Sequence, residues 1–79
     1  MTMHLHLYST SHCHLCEQAE AILVDLALSH DLSWRVIEIT DNADLLSRYE
    51  LSIPVLTRLD TGQEIAWPFN KDQVLDLIK

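Results

Sequence analysis

Residues 3–8 of the chain, MHLHLY, alternate in side-chain type. A two-residue repeat is that of a β-strand, with Met3, Leu5 and Leu7 on one face and His4, His6 and Tyr8 on the other. The period then lengthens. Leu15, Ala19, Ile22, Leu23 and Leu26 recur at helical spacing while Glu17, Gln18 and Asp25 turn elsewhere, which predicts a helix over residues 13–28. After the polar break Ser29-His30-Asp31, the segment 33–39 is rich in β-branched and aromatic residues and predicts a second strand. Strand, helix, strand in this order implies a parallel crossover.

A short helix follows, with Thr40 or Asp41 as the expected N-cap and Leu45, Leu46 and Tyr49 as its apolar side, ending near Leu51. Pro54 cannot donate to a ladder, so a strand over residues 55–59 can carry the proline only at its start. Asp60-Thr61-Gly62 supplies a turn, and Gly62, the chain's one glycine, suits its left-handed position. A fourth strand over residues 64–67 then pairs back antiparallel. Asn70 and Gln73 have the spacing of a capping box, and Val74, Leu77 and Ile78 line one face of a final helix. The element string is βαβαββα. Its compact solution is an α/β fold, a four-stranded mixed sheet flanked by three helices.

Seventy-nine residues, 48% hydrophobic with one Gly and two Pro, fit one globular domain over residues 1–79, with no repeat or linker. Two cysteines are too few for a disulfide-stapled secreted domain, and the N-terminus lacks the basic segment and apolar run of an export signal. A reducing cytoplasm is the expected compartment. No apolar stretch approaches the roughly 20 residues needed to span a bilayer. A formal charge of -7, twelve acidic against five basic residues, repels phosphate backbones and anionic lipid surfaces, so neither nucleic acid nor membrane is an expected partner. A monomer is expected.

Against this background the stretch SHCHLC, residues 11–16, is the chemically informative one. Cys13 and Cys16 fall where the first strand stops and the first helix starts, and unpaired backbone N–H groups and the positive end of the helix dipole collect there. That environment stabilises a thiolate on Cys13, which makes Cys13 the candidate nucleophile. Three residues on, Cys16 lies beneath it on nearly the same face, within disulfide reach and less exposed, as a resolving thiol would be. A dithiol of this kind needs no metal or organic cofactor. His12 and His14 flank the nucleophile and could tune it if protonated. A zinc or shared iron–sulfur site is a weaker alternative, because no second Cys or His pair follows His30 to complete a ligand set. His4 and His6 are most simply residues of a partly exposed strand face, and Trp34 and Trp67 packing residues.

LYSTSHCHLC, the later SIPVL and the βαβαββα order resemble the thioredoxin superfamily and its glutaredoxin-like branch, and YELSIPVL and GQEIAWPFN resemble a subgroup of small glutaredoxin-like proteins. The resemblance covers nearly the whole chain. It implies thiol–disulfide exchange, with a disulfide-containing protein or a glutathione mixed disulfide as substrate and glutathione as a candidate co-substrate. It also implies a cis peptide between Ile53 and Pro54, set against the cysteines, with the backbone of Ile53 free to pair with an extended peptide. Leu15, Phe69 and Asn70 join His12, His14, Ile53 and Pro54 as candidate substrate contacts, Asn70 through helix N-terminal donors. Three positions depart from the common glutaredoxin pattern: His14-Leu15 stands where Pro-Tyr is usual, Thr10 where many have lysine, and Pro68-Phe69 where Gly-Gly is usual. The rival reading is a non-catalytic module of the same fold that binds a partner along Ile53-Pro54, with the cysteines as a structural or sensing disulfide.

Overall fold

The computed structural model describes residues 2–79. In chain order they form β1 (Met3–Ser9), α1 (His14–Ala27), β2 (Leu32–Glu38), a single 3-10 turn (Ile39–Asp41), α2 (Ala43–Tyr49), β3 (Val55–Arg58), β4 (Glu64–Ala66) and α3 (Lys71–Ile78). The four strands make one mixed sheet in the order β2-β1-β3-β4. β1 pairs parallel to β2 and antiparallel to β3, and β3 pairs antiparallel to β4. This is the βαβαββα architecture expected from the periodicities.

Register decides what each face of the sheet buries. Leu7 lies opposite Val36 on one side and Leu56 on the other, and Leu5 opposite Trp34 and Arg58. Leu5, Leu7 and Leu56 pack with Ala19, Leu23 and Leu26 of α1 and with Val74 and Leu77 of α3, so those two helices share one face. A Lys71–Asp25 ion pair joins them at the surface. Burying a leucine of this kind contributes roughly 1.5–3 kcal/mol, which makes this layer the main source of stability. α2 covers part of the other face, where Ile39, Tyr49 and Val55 form a smaller cluster with Tyr8, Leu45, Leu46 and Ile53. Tyr8 and Tyr49 stack with ring centroids 4.4 Å apart. The Tyr49 hydroxyl donates to Glu64 at 2.9 Å, tying α2 to β4.

Three local expectations need correction. Asn42, rather than Thr40 or Asp41, caps α2, accepting the N–H groups of Asp44 and Leu45 at 2.9 and 3.2 Å. Residues 39–41 form the 3-10 turn, itself capped by Glu38, which delays the helix by one turn. Leu15 is 43% exposed, because the inward positions of α1 are Cys16, Ala19, Leu23 and Leu26. The phase of the helix is set by Cys16 and not by the leucine beside it. β3 ends at Arg58, whose guanidinium turns to α3 and donates to the Leu77 carbonyl at 2.9 Å. Leu59 therefore joins Asp60, Thr61 and Gly62 in the hairpin loop, with Gly62 at φ 76°.

Candidate functional site

β1 ends at Ser9, and residues 10–12 carry the chain into α1. Cys13 is the N-cap of that helix, with extended backbone angles (φ -93°, ψ 106°). The cap position is usually filled by an oxygen-bearing side chain, and here a sulfur takes that place. Cys13 Sγ accepts the N–H of Cys16 at 3.2 Å, and the Cys13 carbonyl accepts the N–H of Glu17 at 3.2 Å. The two sulfurs are joined in a disulfide, with Cα atoms 5.2 Å apart. Cys16 is only 6% exposed and belongs to the inward face of α1, whereas Cys13 is half-buried at the rim. One sulfur thus faces outward and the other lies beneath it. On reduction, the donor that now meets Cys13 Sγ remains available to a thiolate, along with the helix dipole.

The loop before Cys13 is held from the side. His12 takes φ 61°, the left-handed region. Next to it, Glu38 Oε1 accepts both the N–H and the hydroxyl of Ser11, at 2.8 and 2.9 Å. These bonds from Ser11, with smaller help from Thr10 and Thr40, hold the Glu38 carboxyl down at about 2. A cleft of about 150 Å³ opens between the loop, α1 and β2, lined by His12, Cys13, Cys16, Glu17, Glu20 and Val36 among others. Glu20 is anchored in it by the Trp34 indole N–H at 3.1 Å. His14, the first residue of α1, is exposed with Nδ1 3.7 Å from Glu17 Oε2.

The remaining sequence-predicted residues divide. Tyr8 lies opposite Val55, so Pro54 leaves the sheet at the same end as Ser9 and the cysteine loop. The Ile53–Pro54 peptide is cis, Pro54 is buried and Ile53 half-buried. The Ile53 backbone is less free than expected, since its N–H donates to the Tyr49 carbonyl at 3.1 Å. No hydrogen bond to its carbonyl occurs among the described residues. Leu15, between the cysteines in sequence, offers exposed apolar surface. Phe69 does not, being 5% exposed inside the main core with its ring edge-to-face on Trp67 at 5.0 Å. Asn70 is likewise occupied: its Oδ1 accepts the Gln73 N–H and its own N–H donates to Gln73, closing the capping box. The Asn70 side chain and its N–H are thus both engaged within the start of α3 itself. A second cis peptide, Trp67–Pro68, lies just before it.

Among the described residues, no group of three His, Cys, Asp or Glu side chains gathers as a metal site would require. No helix among them is long and apolar enough to cross a membrane. Glu38, Ser11 and Glu20 were not singled out by sequence reasoning. Ser11 and Glu20 lie near the cysteines along the chain, Glu20 one helical turn after Cys16, whereas Glu38 is brought there by its pairing with Ser9, which no local pattern encodes.

Residues 4–79 match the family described as glutaredoxin-like domain (DUF836). Among solved structures, a structural-genomics target protein, XcR50 from X. campestris, shares 36% identity over 91% of this chain and 95% of its own, with a TM-score of 0.78. Protein Ne2328 from Nitrosomonas europaea shares 27% identity over 98% of this chain and 92% of its own, with a TM-score of 0.86. A mutant thioredoxin from Halobacterium salinarum shares 25% identity over 96% of this chain and 71% of its own, with a TM-score of 0.74. No curated protein gives a significant match.

Proposed function

The chain belongs to the glutaredoxin-like domain family, and from that premise we propose that it is a thiol–disulfide oxidoreductase whose working dithiol is Cys13 and Cys16. The observation that carries this reading is the placement of the two sulfurs. Cys13 Sγ caps α1 and accepts a backbone N–H, while Cys16, buried one turn on, is already bonded to it. A helix N-terminus lowers a thiol's pKa from about 8.5 toward roughly 3.5–7.5, so Cys13 is the nucleophile at neutral pH.

In the reduced protein the Cys13 thiolate attacks one sulfur of a substrate disulfide, forming a mixed disulfide and expelling the other sulfur as a thiolate. Cys16 then loses its proton, and its sulfur attacks Cys13 Sγ. The Cys13–Cys16 disulfide forms as the mixed disulfide breaks, and the remaining half of the substrate departs as a second thiolate. Two electrons have passed from the dithiol to the substrate. A second thiol couple, glutathione or a reduced dithiol protein, returns them. The exposed Leu15 and the Ile53 carbonyl beside cis-Pro54 are the substrate contacts, with His12 at the rim. Substrates are disulfide-bearing proteins or glutathione mixed disulfides. The protein acts as a monomer in a reducing compartment such as the cytoplasm, where a labile dithiol can cycle.

The test is equilibration in graded thiol–disulfide buffers read by mass, together with turnover of a small mixed disulfide. A reversible loss of two protons' mass, turnover, and its abolition in Cys13→Ser are expected. Cys16→Ser should trap a stable adduct on Cys13. Absence of turnover with a disulfide that resists reduction would instead make the domain a binding module.

A further inference from the structure

Glu38, the last residue of β2, reaches across to the loop that carries Cys13. Its Oε1 accepts the Ser11 N–H at 2.8 Å and the Ser11 hydroxyl at 2.9 Å, and its Oε2 accepts the Thr40 N–H at 3.3 Å. Register explains the reach. Glu38 lies opposite Ser9, so its carboxylate meets the chain two residues beyond the point where β1 leaves the sheet.

The loop requires something of this kind. His12 sits at φ 61°, and a residue with a β-carbon keeps that conformation only where its surroundings over-determine it. The His12 side chain is exposed, so the constraint has to come through the backbone. The adjoining residue, Ser11, has both of its donors on the Glu38 carboxylate. With that carboxylate removed, His12 is free to relax to negative φ. The turn then carries Cys13 away from the cap position, where its sulfur meets the Cys16 N–H.

We propose that Glu38 is a positioning residue of the dithiol: by clamping Ser11 it holds His12 left-handed and keeps Cys13 Sγ at the N-terminus of α1. This rests on the reading of Cys13 as the nucleophile. The depressed pKa of Glu38 fits the role, since it keeps the clamp ionised at any working pH.

Position and charge predict opposite signs, which makes the proposal testable. A carboxylate near a thiolate raises the thiol's pKa by repulsion, so losing the charge alone would lower the Cys13 pKa. Losing the clamp moves Cys13 off the helix terminus and raises it. The other charged or titratable groups at the loop and cleft are His12, His14, Glu17 and Glu20, and every variant leaves them in place.

The experiment is titration of the Cys13 thiolate by its ultraviolet absorbance in a Cys16→Ser background, comparing Glu38, Glu38→Gln and Glu38→Ala. Reduction potentials are measured in parallel with both cysteines present. Glu38→Ala is expected to move the Cys13 pKa up toward the free-thiol value of about 8.5 and to cut the thiolate fraction at neutral pH roughly tenfold. Its disulfide should become correspondingly harder to reduce. Glu38→Gln keeps an acceptor oxygen for Ser11 and is expected to stay within about threefold of the parent. A Cys13 pKa that is unchanged or lowered in Glu38→Ala, with only the melting temperature reduced, overturns the proposal. Should Glu38→Ala fail to fold, Ser11→Ala removes the hydroxyl arm of the clamp alone, and a smaller upward shift is expected; no shift overturns the proposal. The titration needs no turnover. An inactive parent protein would count against the oxidoreductase reading, whereas an unresponsive pKa would count against the clamp.

Discussion

His12 holds a φ of 61° without being glycine, asparagine or aspartate, and its β-carbon costs about 1–2 kcal/mol in that region. The residue is exposed, so a substitution there changes backbone preference with little change in packing. His12→Val adds a β-branch that the left-handed region scarcely accepts, and should destabilise by a further ~1 kcal/mol in urea unfolding, with less thiolate at Cys13. Cys16 acts through packing. Its sulfur behaves as a small hydrophobe in the core, and counting it as apolar alongside Ala19, Leu23 and Leu26 gives the true inward face of α1. Leu15, between the two cysteines in sequence, is then left at the surface, where the proposed exchange would have it meet a substrate.

Elements here are fixed at their ends by side chains that can be read one at a time. The Asn70–Gln73 box at α3 follows from spacing alone, because both partners are local. The start of α2 does not. Asn42 is a good cap, but so are Thr40 and Asp41, and the choice among them is made by Glu38, which closes the 3-10 turn through the Thr40 N–H. Asn42→Ala removes an acceptor shared by two N–H groups and should cost about 1 kcal/mol. For a chain of this size that corresponds to a fall in melting temperature of roughly 4–8 °C, measurable by circular dichroism. Because α2 leads directly into Ile53 and Pro54, the same variant should weaken substrate binding more than it alters the Cys13 titration.

Across the whole molecule, charge sets the response to pH and salt. Glu38 has its carboxyl lowered from 4.5 to about 2 in the folded state, so it binds protons more weakly folded than unfolded. Its contribution is therefore complete above about pH 4.5 and is lost as pH falls toward 2. Glu38→Gln should flatten the decline in stability across that window, as followed by urea midpoints at stepped pH. The net charge of -7 acts at longer range. Cationic disulfide peptides should react with the dithiol faster than anionic ones of equal length. The difference should shrink as salt rises to about 0.5 M, where the screening length falls well below the roughly 8 Å of physiological salt. Equal rates for the two peptides at low salt would mean that the field at Cys13 is set locally, by the helix and the cleft carboxylates.

The order of elements, the faces of β1 and α3, the Gly62 turn and the meeting of the cysteines with a helix start were all determined by the sequence. Each depends on interactions between residues a few positions apart, where period, cap and turn chemistry act directly. What lies beyond that range was decided by the tertiary structure. Burial of Phe69 in the main core and the grip of Glu38 on Ser11 each join groups through a strand pairing or a helix docking. A pattern along one chain shows which residues can pack or bond, but the partner each one receives depends on which strand lies next to it, and register is a property of the assembled sheet.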